Sequence, residues 1–378
     1  MDLEYLRPLF AGDGPWASVY LDATHAENAT HAQNATHAEN AAHAEDATRA
    51  EGDAGHRIEQ RWRDLAGLLA GAGADPATIA AIGEAVQGYP HRPGRHGLAI
   101  FARAGEVALI EPLPAPPVAD LATWGPLPHA MPMVALRGEE IPYVRVQAGH
   151  REGDIEALDA GGTPRRYTVH GAGEQPIANP RYQRAAEENW KRHAGDVAAA
   201  ADAAEQIGAE VVVVAGDPKE IPYVVGKLPP RWRDRVVTTG QTGGSGRLDE
   251  ATERAVAEVA AQNMKASVAR YGSRPHADGL GDVVVRLRRG QVEEVLLVDD
   301  PDSTDRLFIG AGDPRLIATE PGTLRASGVE PIEVRADAAL LRAVVGTGAG
   351  LLLVDPAEIG LTHGIGAILR DDDDESTA

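Results

Sequence analysis

Ile141-Pro-Tyr-Val-Arg-Val-Gln-Ala148, Arg151-Glu-Gly153 and Asp154-Ile-Glu-Ala-Leu158 stand near the middle of the chain. The first run alternates and is rich in β-branched residues, the second is turn-like and the third runs back, so the stretch predicts a β-hairpin. Gly-Gly at 161, Pro164, Gly171-Ala-Gly173, Pro176 and Pro180 follow. That density of breakers predicts neither strand nor helix over 161-180, a span about twice the length of most loops in compact domains. Loops of that length are functional or disordered. Asn179 is a candidate cap and Pro180 suits the first turn of a long helix from Arg181 onward. The expectation is a Gly-rich loop braced by a hairpin on one side and a helix on the other.

Charge singles out the same region. The chain carries a net charge of -21, yet Arg165, Arg166, Arg181, Arg184, Lys191 and Arg192 outnumber Glu174, Glu187 and Glu188, leaving residues 165–193 at +3 with histidines neutral. A basic spot on an acidic protein suits phosphate, whereas the protein as a whole repels nucleic acid. The competing reading is a solvated helix face.

A length of 378 residues, 43% of them hydrophobic, allows two or three domains with sizeable cores. The absence of cysteine excludes disulfides, thiolate zinc sites and a cysteine nucleophile, and fits a reducing cytoplasm. Met1-Asp-Leu-Glu4 is acidic where a signal peptide is basic, and no apolar run reaches the ~20 residues that span a bilayer. A soluble, cytoplasmic protein with no membrane partner is expected.

Ahead of the hairpin, Leu3 to Phe10 predicts a helical turn or two and Trp16-Ala-Ser-Val-Tyr-Leu21 a buried strand. A six-residue array follows over 24-47, with histidines at 25, 31, 37 and 43. A six-residue step turns each histidine about 240° from the last around a helix, so they do not converge on one ion. The array reads as a solvated alanine-rich helix or as disorder. Removing it, from about Thr24 to Ala47, is expected to shift the melting temperature little. A large loss of thermal stability in the deletion variant would sink that reading.

Ile58, Trp62, Leu65, Leu68 and Leu69 form an apolar stripe at helical spacing, ended by Gly71-Ala-Gly73, and Asp75-Pro76 opens a second helix through Val86. Gly97 to Phe101 and Glu106 to Ile110 predict a hairpin, ended by Pro112, Pro114, Pro116 and Pro117, with a Pro-rich linker up to about Pro132. Beyond the central loop, the apolar run Glu210 to Ala215 predicts a strand covered on both faces, as in parallel sheets. A helix is expected from Asp217-Pro218, a strand at Val236 to Thr239 and a helix from Leu248 to about Tyr271. Gly240-Gln-Thr-Gly-Gly-Ser-Gly246 lacks the Gly-Lys-Ser/Thr ending of a P-loop and reads as a plain strand-to-helix connection.

The last third predicts a helix from Gly279 to Arg289, strands at Val292 to Val298 and Arg306 to Ile309, a helix from Asp337 to Val345 and a strand at Gly350 to Val354. Asp299-Asp-Pro-Asp302 at a strand's end invites Mg²⁺, with an acidic turn as the commoner alternative; no metal site is assigned. The expected division is an α/β domain over 1-135, a middle α/β domain over 136-275, a C-terminal α/β domain over 276-370 and a disordered acidic tail over 371-378.

Several stretches carry a family resemblance: Gly14-Pro-Trp-Ala-Ser-Val-Tyr-Leu-Asp22, Ile58-Glu-Gln-Arg-Trp-Arg63, Pro142-Tyr-Val-Arg-Val146, Tyr167-Thr-Val-His170, Arg181-Tyr-Gln-Arg184, Glu293-Glu-Val-Leu-Leu-Val298 and Gly364-Ile-Gly-Ala-Ile-Leu-Arg370. With them the chain resembles the bacterial and actinobacterial relatives of the archaeal-eukaryotic class-one peptide chain release factors. That group includes Balon-like ribosome hibernation factors and Vms1/Ankzf1-type peptidyl-tRNA hydrolases. The resemblance implies three α/β domains with mixed sheets, release-factor-like architecture and a Gly-rich loop projecting from the middle domain. The array over 24-47 is outside the family pattern.

The resemblance further implies that the loop enters the large ribosomal subunit toward the peptidyl-transferase centre. Where release factors carry Gly-Gly-Gln, this chain has Gly171-Ala-Gly-Glu-Gln175. Glu174 replaces the second glycine, losing its backbone freedom and setting a carboxylate beside RNA phosphates. The implied contacts to rRNA or tRNA are His170, Gly171, Gly173, Gln175, Arg181, Arg184, Lys191 and Arg192. The first reading is a ribosome-associated factor that occupies the A site in stress or hibernation without chemistry or cofactor. The alternative is a peptidyl-tRNA hydrolase in which Gln175 positions water. The C-terminal domain resembles the one that contacts a translational GTPase, elongation factor Tu in Balon; no DNA partner is expected. An unrelated hydrolase has no support, because no Gly-x-Ser-x-Gly elbow, metal-ligand set or Walker motif occurs.

Overall fold

The computed structural model describes residues 3–12, 14–24, 57–90, 95–139, 141–148, 152–158, 164–170, 208–216, 218, 221–232, 235–240 and 245–371. The array over 25–47 and the expected loop and helix over 171–207 lie outside them. The chain divides into two compact units, one made of 3–138 and 271 onward, the other of Glu139–Arg270.

In the first unit a 3-10 turn, Glu4–Leu6, leads into α1 (Arg7–Phe10) and β1 (Trp16–Asp22). Residues 57–71 form α2, followed by α3 (Pro76–Gln87), β2 (Gly97–Arg103), β3 (Glu106–Leu113), β4 (Leu121–Gly125) and α4 (Met131–Arg137). The four strands make an antiparallel sheet in the order β3-β2-β1-β4. β1 and β2 are buried along all but their last residue because both faces of the sheet are covered there. Ala17, Val19, Leu21, Leu98 and Ile100 meet Trp62, Leu65 and Leu69 of α2 and Ile82 and Val86 of α3. Trp16, Tyr20 and Phe101 point to the other core, with Leu6, Leu9 and Met133. Leu68 leaves the expected stripe and is 60% exposed. At 100° per residue it stands about 120° from Trp62, whereas Ile58, Leu65 and Leu69 stay within about 60°. Asp75 caps α3, its carboxylate accepting from the Thr78 N–H at 2.9 Å and the Thr78 hydroxyl at 2.7 Å.

Two expectations for this region are corrected. Pro112 does not end the hairpin: β3 continues through it to Leu113, since β3 is an edge strand and a missing N–H on its open side breaks no ladder. The Pro-rich linker contains β4, whose Leu-Ala-Thr-Trp run pairs with β1, and then α4. Prolines flank that short β-prone run without interrupting it.

The second unit contains β5 (Tyr143–Ala148), β6 (Glu152–Leu158), β7 (Pro164–His170), β8 (Val211–Gly216), α5 (Ile221–Lys227), a 3-10 turn at Pro230–Trp232, β9 (Val236–Gly240) and α6 (Ser245–Ser273), whose residues from Tyr271 on count with the first unit. Its mixed sheet runs β7-β6-β5-β8-β9, antiparallel across β7, β6 and β5, parallel across β5, β8 and β9. Alternation divides β8 between two cores. Val212 and Val214 join Val144, Val146, Ile155, Val224 and Trp232 on one face; Val211, Val213 and Ala215 meet Leu248, Ala251 and Ala255 of α6 on the other. The double coverage expected of the valine run is found, each buried valine contributing about 1.5–3 kcal/mol relative to exposure. The expectation of loop throughout 161–180 is corrected by β7. Arg165-Arg-Tyr-Thr-Val169 is β-prone, and Pro164 stands at the first position of an edge strand, where its missing N–H is tolerated.

The chain then returns to the first unit with β10 (His276–Asp278), α7 (Leu280–Arg288), β11 (Val292–Val298), β12 (Arg306–Ile309), β13 (Ile317–Ala318), α8 (Pro321–Arg325), β14 (Ile332–Arg335), α9 (Ala336–Thr347), β15 (Gly350–Val354), a 3-10 turn at Thr362–Gly364 and β16 (Ile365–Leu369). One sheet has the order β10-β16-β11-β15, with β11 and β15 parallel; β13-β12-β14 form a second. α9 is buried from Ala338 through Val345, with Arg342 the one charged residue in that run, donating to the Gly310 carbonyl at 3.0 Å, and its apolar side chains are shared by both segments of the unit in one core. The Asp299 to Asp302 stretch is an acidic turn, with the Asp302 N–H donating to Asp300 Oδ1 at 3.2 Å. Asp371, expected within a disordered tail, accepts from Arg274 at 2.9 Å. No helix among the described residues is long and apolar enough to cross a membrane.

Candidate nucleic-acid interface

The β5-β6 hairpin register sets Arg145 opposite Glu156, and the β6-β7 register sets Glu156 opposite Arg166. Arg145, Glu156 and Arg166 therefore form a row across three strands, on the face covered further along by α6. Arg145 Nη2 donates to Glu156 Oε2 at 3.1 Å, Arg166 Nε donates to the same oxygen at 2.7 Å, and Arg145 Nη1 donates to Asp249 of α6. Burial pushes the Glu156 carboxyl up, but the hydrogen bonds and charges of Arg166 and Arg145 outweigh it and hold the group below its ordinary value. Burial pulls Arg145 down, and Glu156 and Asp249 more than restore it. Burial raises the neighbouring Tyr143 hydroxyl.

Two guanidinium groups face two carboxylates, so the row is close to neutral and acts as a brace. The Arg166 arm is 78% exposed and is worth at most about 1 kcal/mol; the Arg145 to Glu156 contact, largely shielded, is the stronger part. A second brace lies along α6, where the Asn263 amide donates to Glu139 at 3.1 Å and to Glu210 at 3.2 Å. What the sheet does for the segment beyond it is to fix its origin. β7 ends at His170, paired with Glu152 at the edge of the sheet.

Of the residues expected to touch RNA, His170 is the last of β7. Gly171, Gly173, Gln175, Arg181, Arg184, Lys191 and Arg192 lie outside the described residues, as does the expected helix after Pro180. The brace of Arg145, Glu156, Arg166 and Asp249 was missed by sequence reasoning. The expected turn over 151–153 does not set Arg145 opposite Glu156; that alignment follows from β6 starting earlier, at Glu152, so that Ala148 pairs with Gly153.

A hairpin extended by an edge strand, joined to parallel strands between two helical layers, defines a mixed α/β module. Residues 142–275 match the family model described as bacterial archaeo-eukaryotic release factor family 2. Over this segment, about a third of its length, the chain is similar to bacterial relatives of the archaeal-eukaryotic release-factor proteins. An uncharacterized protein of Mycobacterium tuberculosis (strain ATCC 25618 / H37Rv), Rv2629, is 28% identical, covering 98% of this chain and 97% of its own. The archaeal translation termination factor aRF1 is 15% identical, covering 97% of this chain and 96% of its own, with a TM-score of 0.24. A ribosome-bound archaeal Pelota is 12% identical, covering 98% and 94%, with a TM-score of 0.37. Similarity at that level carries no geometry from one protein to the other.

Proposed function

We propose that this chain is a ribosome-associated translation factor that occupies the A site in stress or hibernation, using the segment from His170 to Arg192 as its RNA contact. The observation that carries the reading is the release-factor family match over 142–275, the stretch that contains this segment. Local charge supports it, since a net +3 over 165–193 stands out against -21 for the chain. Glu174 at the place of a tip glycine favours binding without hydrolysis. A translational GTPase such as elongation factor Tu is the proposed protein partner.

Co-sedimentation of the purified protein with 70S ribosomes tests the contact, and absence from the ribosomal pellet at low salt overturns it. Gln175→Ala tests the chemistry. A binding factor with this variant keeps its place in the pellet, and neither form releases peptide from peptidyl-tRNA above background. Release by the parent chain that falls 100-fold or more in the variant would make the protein a hydrolase with Gln175 positioning water.

A further inference from the structure

A cavity of about 220 Å³ opens in the first unit at the carboxyl end of β11, beside the first turn of α9. Its apolar part includes Leu297, Val298, Leu340 and Ile365, and its polar part carries Asp299, Asp300, Asp305 and Asp337. Of these carboxylates, Asp337 is satisfied by Arg335 and His129. Among the described residues, no cation lies within ion-pair distance of Asp299, Asp300 or Asp305. Asp299, Asp300 and Asp305 stand exposed on the rim, and the partial burial of Asp299, then the charges of Asp337 and Asp300, push its carboxyl up. Thr362 fixes one lip, its N–H and hydroxyl donating to Asp278 at 3.0 and 2.6 Å, and the next residue, His363, lines the cavity at φ 55°.

The shape and the charge select the same guest. The described residues hold no group of three metal-ligating side chains, and these carboxylates stand around an apolar recess. A guest that fills the recess and answers the rim needs an apolar stem with a cationic head. Long basic side chains have that form. Several carboxylates around one opening favour a planar guanidinium, which pairs with more than one carboxylate oxygen at once. The net charge of -21 draws a basic segment toward the molecule over a longer range. We propose that this cavity seats an arginine side chain from a basic segment of a partner protein. The proposal does not rest on the reading of residues 142–275.

The test uses the full chain with labelled Leu, Val and Ile methyl groups, titrated with acetyl-Gly-Arg-Gly-amide. Saturable shifts are expected at Leu297, Val298, Leu340 and Ile365, with binding at least tenfold weaker in Asp299→Asn/Asp300→Asn. Asp305→Asn is a second variant, read the same way, and methyl signals remote from the cavity report whether each variant is folded. The analogous citrulline peptide is expected to leave the four methyls in place. No saturable shift, equal binding by the folded variants, or equal binding of the citrulline or lysine peptide overturns the proposal. So does magnesium chloride alone, if it shifts the same methyls at lower concentration than the arginine peptide.

Discussion

Replacing Arg181, Arg184, Lys191 and Arg192 together with alanine is expected to remove most of the affinity for ribosomes. Each of the four cations can neutralise one phosphate, and the release of condensed counterions then sets the salt dependence of binding. For single-stranded-like contacts the slope of log K against log salt should flatten by about three units. Between 50 and 200 mM salt the parent chain should therefore lose roughly 50-fold more affinity than the variant does. The fold is expected to survive, because among the described residues the hydrophobic cores of the second unit are built from 141–157, 209–232 and 248–255. Sedimentation at several salt concentrations measures the slope, and melting curves check the fold. An unchanged slope would show that these side chains do not meet phosphate, whatever else the protein binds.

The parts of the fold legible in the sequence are those where one local pattern suffices. A run of valines with no polar interruption can only be a strand covered twice, and β8 is that strand. The alternation of β5 and β6 likewise shows a hairpin, although Glu152 and Gly153, expected in its turn, belong to β6 and Ala148 pairs with Gly153. Illegibility begins where position in the sheet decides. Pro112 and Pro164 read as breakers until it is known that β3 and β7 are edge strands, and edge position is a property of the whole sheet. The two-residue strand β13 has no periodicity to read, and its pairing with β12 supplies what it lacks. α9 is mostly apolar, but nothing local says that 3–138 supplies part of its cover. For the candidate site, composition located a basic segment and the hairpin located its origin. The brace behind it required the cross-strand register, which only the observed pairing of β5 with β6 supplies.

Asp337→Ala is expected to destabilise the first unit by about 2–3 kcal/mol at neutral pH, somewhat below the 3–5 kcal/mol of a fully buried pair because Arg335 remains 30% exposed. The carboxylate stands in the first turn of α9, where it accepts from the Ala338 N–H at 2.6 Å, from Arg335 Nη2 at 2.8 Å and from His129 Nε2 at 3.3 Å. His129 is in turn tied to β1: its N–H donates to the Ser18 hydroxyl at 2.9 Å, and its carbonyl accepts from the Tyr20 hydroxyl at 2.6 Å. One carboxylate thus joins the cap of α9 to the strand at the centre of the N-terminal sheet. Burial pushes Asp337 up, but the hydrogen bonds and charges of His129 and Arg335 outweigh it, and the group lies far below its ordinary value. A carboxylate lowered in the folded state contributes stability that is fully present above its unfolded value, ~3.9, and is lost as pH falls through the lower folded value. The difference in unfolding free energy between the parent chain and Asp337→Ala should therefore be constant from pH 7 to about 5 and shrink steadily below 4. Urea melts of both proteins at pH 7, 5 and 3 measure it. A difference that stays the same at pH 3 would mean that the variant loses packing and not the charge, and the ionic link between α9 and β1 would have to be abandoned.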